Sequence, residues 1–311
     1  MKTDNCTLVT ALYLHRPQEI IGGRGWSFPY FAAPFLNVLK LGQPIVIYTH
    51  DAMKEPLENF LEQQATAEYK VIDYDLTKFK YSDEILHLKR SGGNFTNDIL
   101  NKGVSYIIND RNTHLCLNKI YWLNDEATLN RFNTEKHFWI DAGLFHHGIF
   151  PEKYGGRERL SKQENNDDLY YPKHKDSIFK PSLAEGLTRL ADKFLSLRHS
   201  EMPTNEKMRQ LLNVEGKILG YIVGGLFGGD KSHISLVAKD FDKALSILLN
   251  NDVCSLEENI LSCITGWNPD LYQVISFNNW HHDIVGEACY YGAPETSKCF
   301  YKIFKDVFLN E

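Results

Sequence analysis

The hydrophobic positions of the chain change period along the sequence, and they predict strands and helices in turn. Three strands are predicted, at CTLVTALYL (6–14), QPIVIYTHD (43–51) and YKVIDYDL (69–76). The continuous apolar run of the second is typical of a parallel strand covered on both faces. Segments with helical spacing separate the strands, FPYFAAPFLNVLKLG (28–42) and MKEPLENFLEQQA (53–65). Strands that alternate with helices at this spacing predict an α/β fold with a mostly parallel central sheet flanked by helices.

The remainder of the chain continues this pattern after a mainly helical stretch at 81–131, in which THLCLNKIYWLNDEATLN (113–130) is the clearest helix. KHFWIDAG (136–143) predicts a fourth strand, and GKILGYIVGGLFGGDK (216–231) a further strand that runs into a glycine loop. Two more helices are predicted, over HISLVAKDFDKALSILLNN (233–251) and LEENILSCITGW (256–267). Residues 151–177 are polar and without period, so we expect a long loop there. The sequence contains no repeat and no linker, which indicates one domain over 1–311.

Composition narrows the class of protein. The 311 residues carry a net charge of −6, which gives no basic field for nucleic acid. Six scattered cysteines without a CxxC pair indicate reduced thiols in a cytosolic protein. The amino-terminal apolar run is too short for a signal peptide, and no run approaches the ~20 residues that cross a bilayer. We therefore expect a soluble, cytoplasmic protein, and peripheral contact with the inner face of a membrane stays open.

Two nucleotide-binding motifs are absent from the sequence. There is no GxGxxG fingerprint of a dinucleotide-binding fold and no GxxxxGK[ST] phosphate loop. Their absence argues against a nicotinamide-dependent oxidoreductase and against a P-loop kinase.

The unusual residues gather where the predicted strands end. Thr10 and Ala11, residues 49–51, residues 141–143 and residues 224–229 each follow or end an apolar strand. Because ligands of open α/β sheets bind beyond the carboxyl ends of the strands, these positions predict one site at one edge of the sheet.

Asp141 is the first candidate in that site. In FWIDAGLFHHG a single acid closes an apolar strand, and a carboxylate at a strand tip can hold a divalent cation that in turn holds phosphate oxygens. A helix cap or a turn aspartate is the alternative. His281 and His282 in NNWHHD are candidate metal ligands, although histidine pairs are more often surface or core residues.

Glycines and acids supply the other candidates. In GGLFGG, the two glycine pairs around Leu226 and Phe227 permit close approach of a ligand, and Phe227 could present a ring to a sugar; a bulged hairpin is the alternative. Glu257 and Glu258 precede an apolar helix, where they are candidate catalytic acids or simply favour the helix dipole. Adjacent helical residues diverge by roughly 100°, so we expect only one of the two to face the cleft.

With these motifs in the order LVTALYL, PIVIYTHD, RNTHLCLNKIYWL, FWIDAG and GGLFGGDK, the chain resembles the HtrL/YibB-like group of glycosyltransferase-like proteins over most of its length. WIDAG is the most specific of the motifs. That group is similar to GT-A glycosyltransferases, so the resemblance implies a GT-A-like fold, a nucleotide-sugar donor and Mn²⁺ or Mg²⁺ bound at an aspartate motif. It implies a nucleotide-binding half at 1–143 and an acceptor-side half at 144–311. The motif here has one acid instead of the usual two.

The resemblance also assigns roles to individual residues. The nucleoside would lie by Thr10, Ala11, Tyr13 and Asp51, and Arg111 and Lys119 would reach towards the phosphates or the donor sugar. Asp141 would bind the metal ion, with His281 or His282 as a further ligand. The sugar and acceptor pocket would be shaped by Gly224, Gly225, Phe227 and Gly228. An acid near the acceptor hydroxyl would come from Glu258 or Glu257, and the placement before NILS favours Glu258.

The predicted function is transfer of a sugar from a UDP- or GDP-sugar to a hydroxyl of a glycan or glycoconjugate. Two alternatives stay open. One is a binding protein for nucleotide-sugars or glycans on a degenerate transferase fold, which the single acid of the motif favours. The other is a sugar nucleotidyltransferase, which would share the sheet and the metal and which the glycines and arginines of HRPQEIIGGRGW permit.

Overall fold

A computed structural model describes residues 6–13, 35, 38–39, 41–95, 110–142, 193–199 and 206–277 of the chain. The strands in these ranges are β1 (Cys6–Ala11), β2 (Ile45–Thr49), β3 (Tyr69–Asp73), β4 (Asn94–Phe95), β5 (Lys136–Ile140), β6 (Phe194–His199), β7 (Tyr221–Asp230), β8 (Val253–Cys254) and β9 (Tyr272–Phe277). Seven of them form one sheet in the order β3-β2-β1-β5-β7-β6-β9, and β4 pairs with β8 in a second, two-stranded sheet.

The large sheet is parallel except at one strand. β3, β2, β1 and β5 are parallel neighbours, and β6 is parallel to β9. β7 lies between β5 and β6 and runs antiparallel to both. The predicted fold class, an α/β fold with a mostly parallel central sheet flanked by helices, is confirmed. Because β7 runs in the opposite direction, its amino-terminal residues lie beside the carboxyl end of β5.

Helices are α1 (Asp51–Gln64), α2 (Ser82–Arg90), α3 (Asp110–Leu129), α4 (Glu206–Leu211), α5 (Lys231–Leu249) and α6 (Glu257–Ile264). Helix α5 matches its prediction closely: Asp230 caps it by accepting a hydrogen bond from the His233 N–H. Its buried side chains follow the spacing of an amphipathic helix, Ile234, Val237, Ala238, Phe241, Ala244, Leu245 and Leu248. No helix in the described ranges is long and apolar enough to cross a membrane.

Both faces of the sheet are buried at the strands β1, β2 and β5, which explains the apolar runs there, whereas the edge strand β3 buries only Val71. In β2, Ile45 and Ile47 belong to the core layer that includes Leu57 of α1, whereas Val46 and Tyr48 belong to the opposite layer with α3, α5 and α6. Successive side chains of a strand point to opposite faces, so two covered faces leave no polar position in the pattern.

The predicted glycine loop after 221–223 is wrong, because β7 continues through GGLFGG to Asp230. Glycine serves close contact between strands here: a side chain on Gly228 would collide with the His137 carbonyl and with Cα of Phe138 on β5. Phe227 is fully buried and stacks on Trp139 and Phe194, at 6.4 and 5.8 Å between ring centroids. Both residues therefore lie inside the sheet, away from any ligand at its edge.

Two other predictions fall mainly or wholly on residues that the structure leaves undescribed. Of the helix predicted at 28–42, Phe35, Val38 and Leu39 are described as helical. The loop predicted at 151–177 lies outside the described residues.

A buried histidine gives a testable pH dependence of stability. Both ring nitrogens of His137 on β5 are buried without a hydrogen-bond partner among the described residues. Burial, with a smaller effect from the charge of Lys231, lowers the pKa of His137 from 6.5 to about 4. Between about pH 6.5 and about pH 4 the unfolded chain therefore binds a proton at His137 that the folded protein does not bind. As the pH falls through this range, His137 lowers the free energy of unfolding by about 3 kcal/mol in total.

We expect His137→Leu to remove that loss. Urea unfolding at pH 7.5 and at pH 4.5 should show a stability advantage of the variant over wild type that grows at the lower pH. An advantage that is equal at the two pH values would contradict the assignment.

Candidate active site

The carboxyl edge of the sheet brings together the ends of three neighbouring strands. Ala11 ends β1, Thr49 ends β2 and is followed by Asp51 at the start of α1, and Asp141 directly follows β5. The antiparallel β7 joins this edge with its amino-terminal half, where the Asp141 N–H donates to the Gly225 carbonyl at 2.9 Å. This is the edge at which an open α/β sheet binds its ligands.

Asp141 is held from two sides and still faces solvent. Trp139 donates its indole N–H to Oδ1 at 2.7 Å, and Lys119 Nζ lies 3.0 Å from Oδ1 and 3.3 Å from Oδ2. The side chain of Asp141 is nevertheless 38% exposed. A carboxylate offers about four lone-pair sites, so Oδ2 retains acceptor capacity on the open side.

Lys119 comes from α3 and lies beneath Asp141 with its side chain only 8% exposed. Besides Asp141, it contacts Glu257 Oε1 at 2.7 Å and donates to the Gly224 carbonyl at 3.2 Å. Burial disfavours the ammonium, but the carboxylates of Asp141 and Glu257 more than offset it and hold the pKa of Lys119 well above its ordinary value. Lys119 therefore stays charged.

Glu257 and Glu258 open α6 and converge on the same strand residue. Glu257 is 2% exposed, and its Oε2 is buried without a hydrogen-bond partner in the part of the chain that the structure describes. Burial raises the pKa of Glu257 to about 7; Lys119 opposes this rise, and the charges of Glu258 and Asp141 add to it. Glu258 is partly exposed and accepts hydrogen bonds from the Tyr221 hydroxyl at 2.6 Å and from the Gly224 N–H at 2.7 Å.

As expected, only one of the two glutamates faces the cleft: Glu258 is partly exposed, whereas Glu257 is 2% exposed. Both carboxylates reach Gly224, because the absence of a side chain there leaves room for them: a Cβ on Gly224 would overlap Glu257 Oε1 and lie 3.0 Å from Cγ of Glu258. The two side chains therefore share a contact with Gly224 but differ in their exposure to solvent.

These contacts arrange the site in two layers. Asp141 and Glu258, which we call the outer pair, retain exposure to solvent, whereas Lys119 and Glu257, the inner pair, are buried behind them. Perturbed ionisable groups that cluster at a ligand-binding edge are typical of functional sites.

The close packing of Gly224 gives a further prediction. We expect Gly224→Ala to cost about 1–3 kcal/mol of unfolding free energy, because its Cβ forces the two glutamates apart. Chemical denaturation measures the cost, and a crystal structure of the variant should show Glu257 displaced from Lys119. An unchanged free energy of unfolding would contradict the close approach.

The residues predicted near the nucleoside have different surroundings. Asp51 is exposed at the start of α1, and Ala11 is half-buried at the end of β1. Thr10 is fully buried within β1. Tyr13 is buried too, donates its hydroxyl to the Tyr74 carbonyl at 2.7 Å and stacks on Trp122. Ala11 and Asp51 therefore lie at the accessible rim, whereas Thr10 and Tyr13 belong to the core beneath it.

The other predicted residues divide between this edge and the undescribed segments. Gly224 and Gly225 join the site, whereas Phe227 and Gly228 lie further along β7. Arg111 belongs to the first turn of α3, but its side chain is outside the described part of the chain. His281 and His282 fall outside the described residues as well.

Two contributions to the site escaped the sequence analysis. Trp139 lies two residues before Asp141, and residues at this spacing in a strand share a face, so the period-2 rule could have placed its indole beside the carboxylate. Tyr221 had no such signal, because its contact with Glu258 spans 37 residues and depends on how α6 packs on β7.

The described residues offer no group of three or more histidine, cysteine or acidic side chains that could hold a metal ion, so Asp141 could contribute only as a single oxygen ligand. An exposed carboxylate with free acceptor capacity fits a divalent cation that completes its shell with phosphate oxygens and water. Any further protein ligand would come from residues that the structure does not describe.

Comparison with known proteins gives no family. No family model matches the chain, and no curated protein does. Many solved structures are similar to the chain, two of them at a TM-score of 0.40. One is mouse xyloside xylosyltransferase 1 in its apo form, at 8% identity over 93% of each chain. The other is the inositol-1-phosphate CTP transferase from T. maritima, at 12% identity over 89% of this chain and 87% of that one.

Proposed function

We propose that the protein is a glycosyltransferase that moves a sugar from a UDP- or GDP-sugar to a hydroxyl of a glycan or glycoconjugate, assisted by Mn²⁺ or Mg²⁺. The strongest support is that the outer pair, Asp141 and Glu258, lies at the ligand-binding edge of the sheet. The ammonium of Lys119 contacts Asp141 directly and the carbonyl of Gly224, whose N–H donates to Glu258. The pair offers one carboxylate for a cation and a second carboxylate for a proton.

Charge balance supports the participation of a cation at Asp141. Among the described residues, the cluster contains three carboxyl groups, on Asp141, Glu257 and Glu258, and one ammonium, on Lys119. An anionic diphosphate would meet net negative charge there and be repelled. A divalent ion at Asp141 would supply electrostatic stabilisation of the diphosphate leaving group.

Glu258 is the residue that we assign to the acceptor hydroxyl. It is the glutamate with solvent exposure, and hydrogen bonds from Tyr221 and Gly224 fix the direction of its carboxylate. Each of its oxygens has a second lone pair, so a carboxylate held in this way can still accept a proton. If transfer inverts the anomeric centre, Glu258 takes the proton of the attacking hydroxyl. Glu257 is too deeply buried for that role.

The nucleoside would lie at the rim formed by Ala11 and Asp51. These residues end β1 and begin the helix after β2, and β2, β1 and β5 are consecutive in the sheet, so one diphosphate-linked ligand can extend from this rim towards Asp141.

The experiment that tests this function is an assay of donor breakdown. Purified protein is incubated with a panel of UDP- and GDP-sugars, with Mn²⁺, with Mg²⁺ and with EDTA, and release of nucleoside diphosphate is measured with and without simple glycan acceptors. We expect slow, cation-dependent hydrolysis of at least one donor, accelerated by an acceptor.

Two other outcomes would replace the proposal. Release of pyrophosphate from a nucleoside triphosphate with a sugar 1-phosphate would identify a nucleotidyltransferase. Saturable binding of a donor without turnover under any of these conditions would identify a binding protein.

A further inference from the structure

We infer that Lys119 is a positioning residue that fixes both members of the outer pair, and that it does not bind the donor phosphates. The inference rests on the proposed function for what the outer pair does, but the contacts of Lys119 stand independently of it. It differs from the role that the family resemblance implies for this residue.

The first argument is hydrogen-bonding capacity. A lysine ammonium has three N–H donors and no acceptor. Within the described residues, Lys119 Nζ has three protein partners, Asp141 at 3.0 Å, Glu257 at 2.7 Å and the Gly224 carbonyl at 3.2 Å. With its side chain only 8% exposed, it has neither a spare donor nor a free face for a phosphate oxygen.

The second argument is the position of Gly224 between the two acids. Its carbonyl accepts from Lys119, and its N–H donates to Glu258 Oε1 at 2.7 Å. Lys119 contacts Asp141 directly and reaches Glu258 through the backbone of one residue. The ammonium of Lys119 therefore sets the positions of both Asp141, the proposed cation ligand, and Glu258, the proposed proton acceptor.

Glu257 completes the arrangement as the counter-ion of the buried ammonium. It allows the charge of Lys119 to be buried, since an unpaired ammonium in this place would be costly. Among the described residues, the other ionisable groups that act on the inner pair are Cys116 of α3, Asp141 and Glu258. None of these can replace the positive charge of Lys119.

The test in the intact protein uses nuclear magnetic resonance of the lysine side chains. An ammonium with all three N–H groups bound to protein exchanges slowly with water, so ¹⁵N-labelled wild type should show a resolved Lys119 signal, assigned by its loss in Lys119→Arg. The signal should move little on addition of UDP with Mg²⁺. A fast-exchanging signal that becomes protected when UDP and Mg²⁺ are added would overturn the inference.

The kinetic test compares Lys119→Met with the control Lys243→Met. Lys243 lies on α5, and its Nζ is 4.7 Å from the centroid of the Trp267 ring. Misplacement of the outer pair should lower kcat of the Lys119 variant about 100-fold, whereas the dissociation constant for UDP measured in EDTA, which involves no cation at Asp141, should be nearly unchanged. In the double variant with Glu258→Gln the two losses should not multiply, because both act through the same carboxylate.

Loss confined to nucleotide affinity, with kcat unchanged, would make Lys119 a phosphate ligand and overturn the inference. If no donor is turned over at all, the proposed function fails, while the resonance experiment still decides whether the three N–H groups are bound within the protein.

Discussion

Glu258→Gln is expected to lower donor turnover to acceptor by about 10²- to 10⁴-fold, the usual contribution of a general base. Glutamine keeps the shape of the side chain and can still accept from Tyr221 and from Gly224, so the fold and the site geometry should survive. The amide cannot take a proton from the acceptor. Steady-state kinetics should therefore show the loss in kcat, with donor affinity close to that of wild type.

The matched control is Glu84→Gln, which removes a carboxylate from the exposed first turn of α2. It should leave turnover unchanged. Loss of donor binding in Glu258→Gln would make Glu258 a donor-site residue. Full activity would mean that both glutamates of α6 have only a structural role, through their contacts to Tyr221, Gly224 and Lys119.

Asp141→Asn is expected to lower turnover at least about 100-fold, comparable to removal of one electrostatic stabiliser of a leaving group. Asparagine can keep the hydrogen bond from Trp139, but it removes the only negative charge that we assign to the cation. It also takes one of two charged partners from Lys119, so stability should fall as well. Turnover measured against Mn²⁺ concentration separates the effects, because loss of the ligand raises the cation concentration needed.

Asp83→Asn in the exposed first turn of α2 is the control for this substitution. Unchanged turnover and unchanged cation dependence in Asp141→Asn would reduce Asp141 to a structural partner of Lys119 and Trp139.

The central sheet was predictable because burial on both faces leaves a strong signal. β1 and β2 lie within apolar runs, and α5 shows its core-facing stripe at helical spacing. The position of Asp141 at the ligand-binding edge follows from its place at the end of such a run, since the direction of parallel strands decides where their ends meet.

Local sequence patterns could not predict the contacts within the site. Glycine is a local signal for a loop, and only the pairing of β7 with β5 shows that Gly228 serves strand contact instead. Helical periodicity could not show which of Glu257 and Glu258 is buried, because the difference in their burial arises from Lys119 and Gly224, which are distant in sequence. Lys119 itself carries no local sign that its three N–H groups are occupied.

The most direct measurement is calorimetric titration of UDP and GDP into wild type and Asp141→Asn, each with Mn²⁺ and with EDTA. The account predicts that wild type binds one nucleotide with Mn²⁺, that EDTA weakens this binding, and that Asp141→Asn weakens binding in Mn²⁺ by about tenfold or more. Wild type that binds neither nucleotide, or that binds one equally well with EDTA and in the variant, would contradict it.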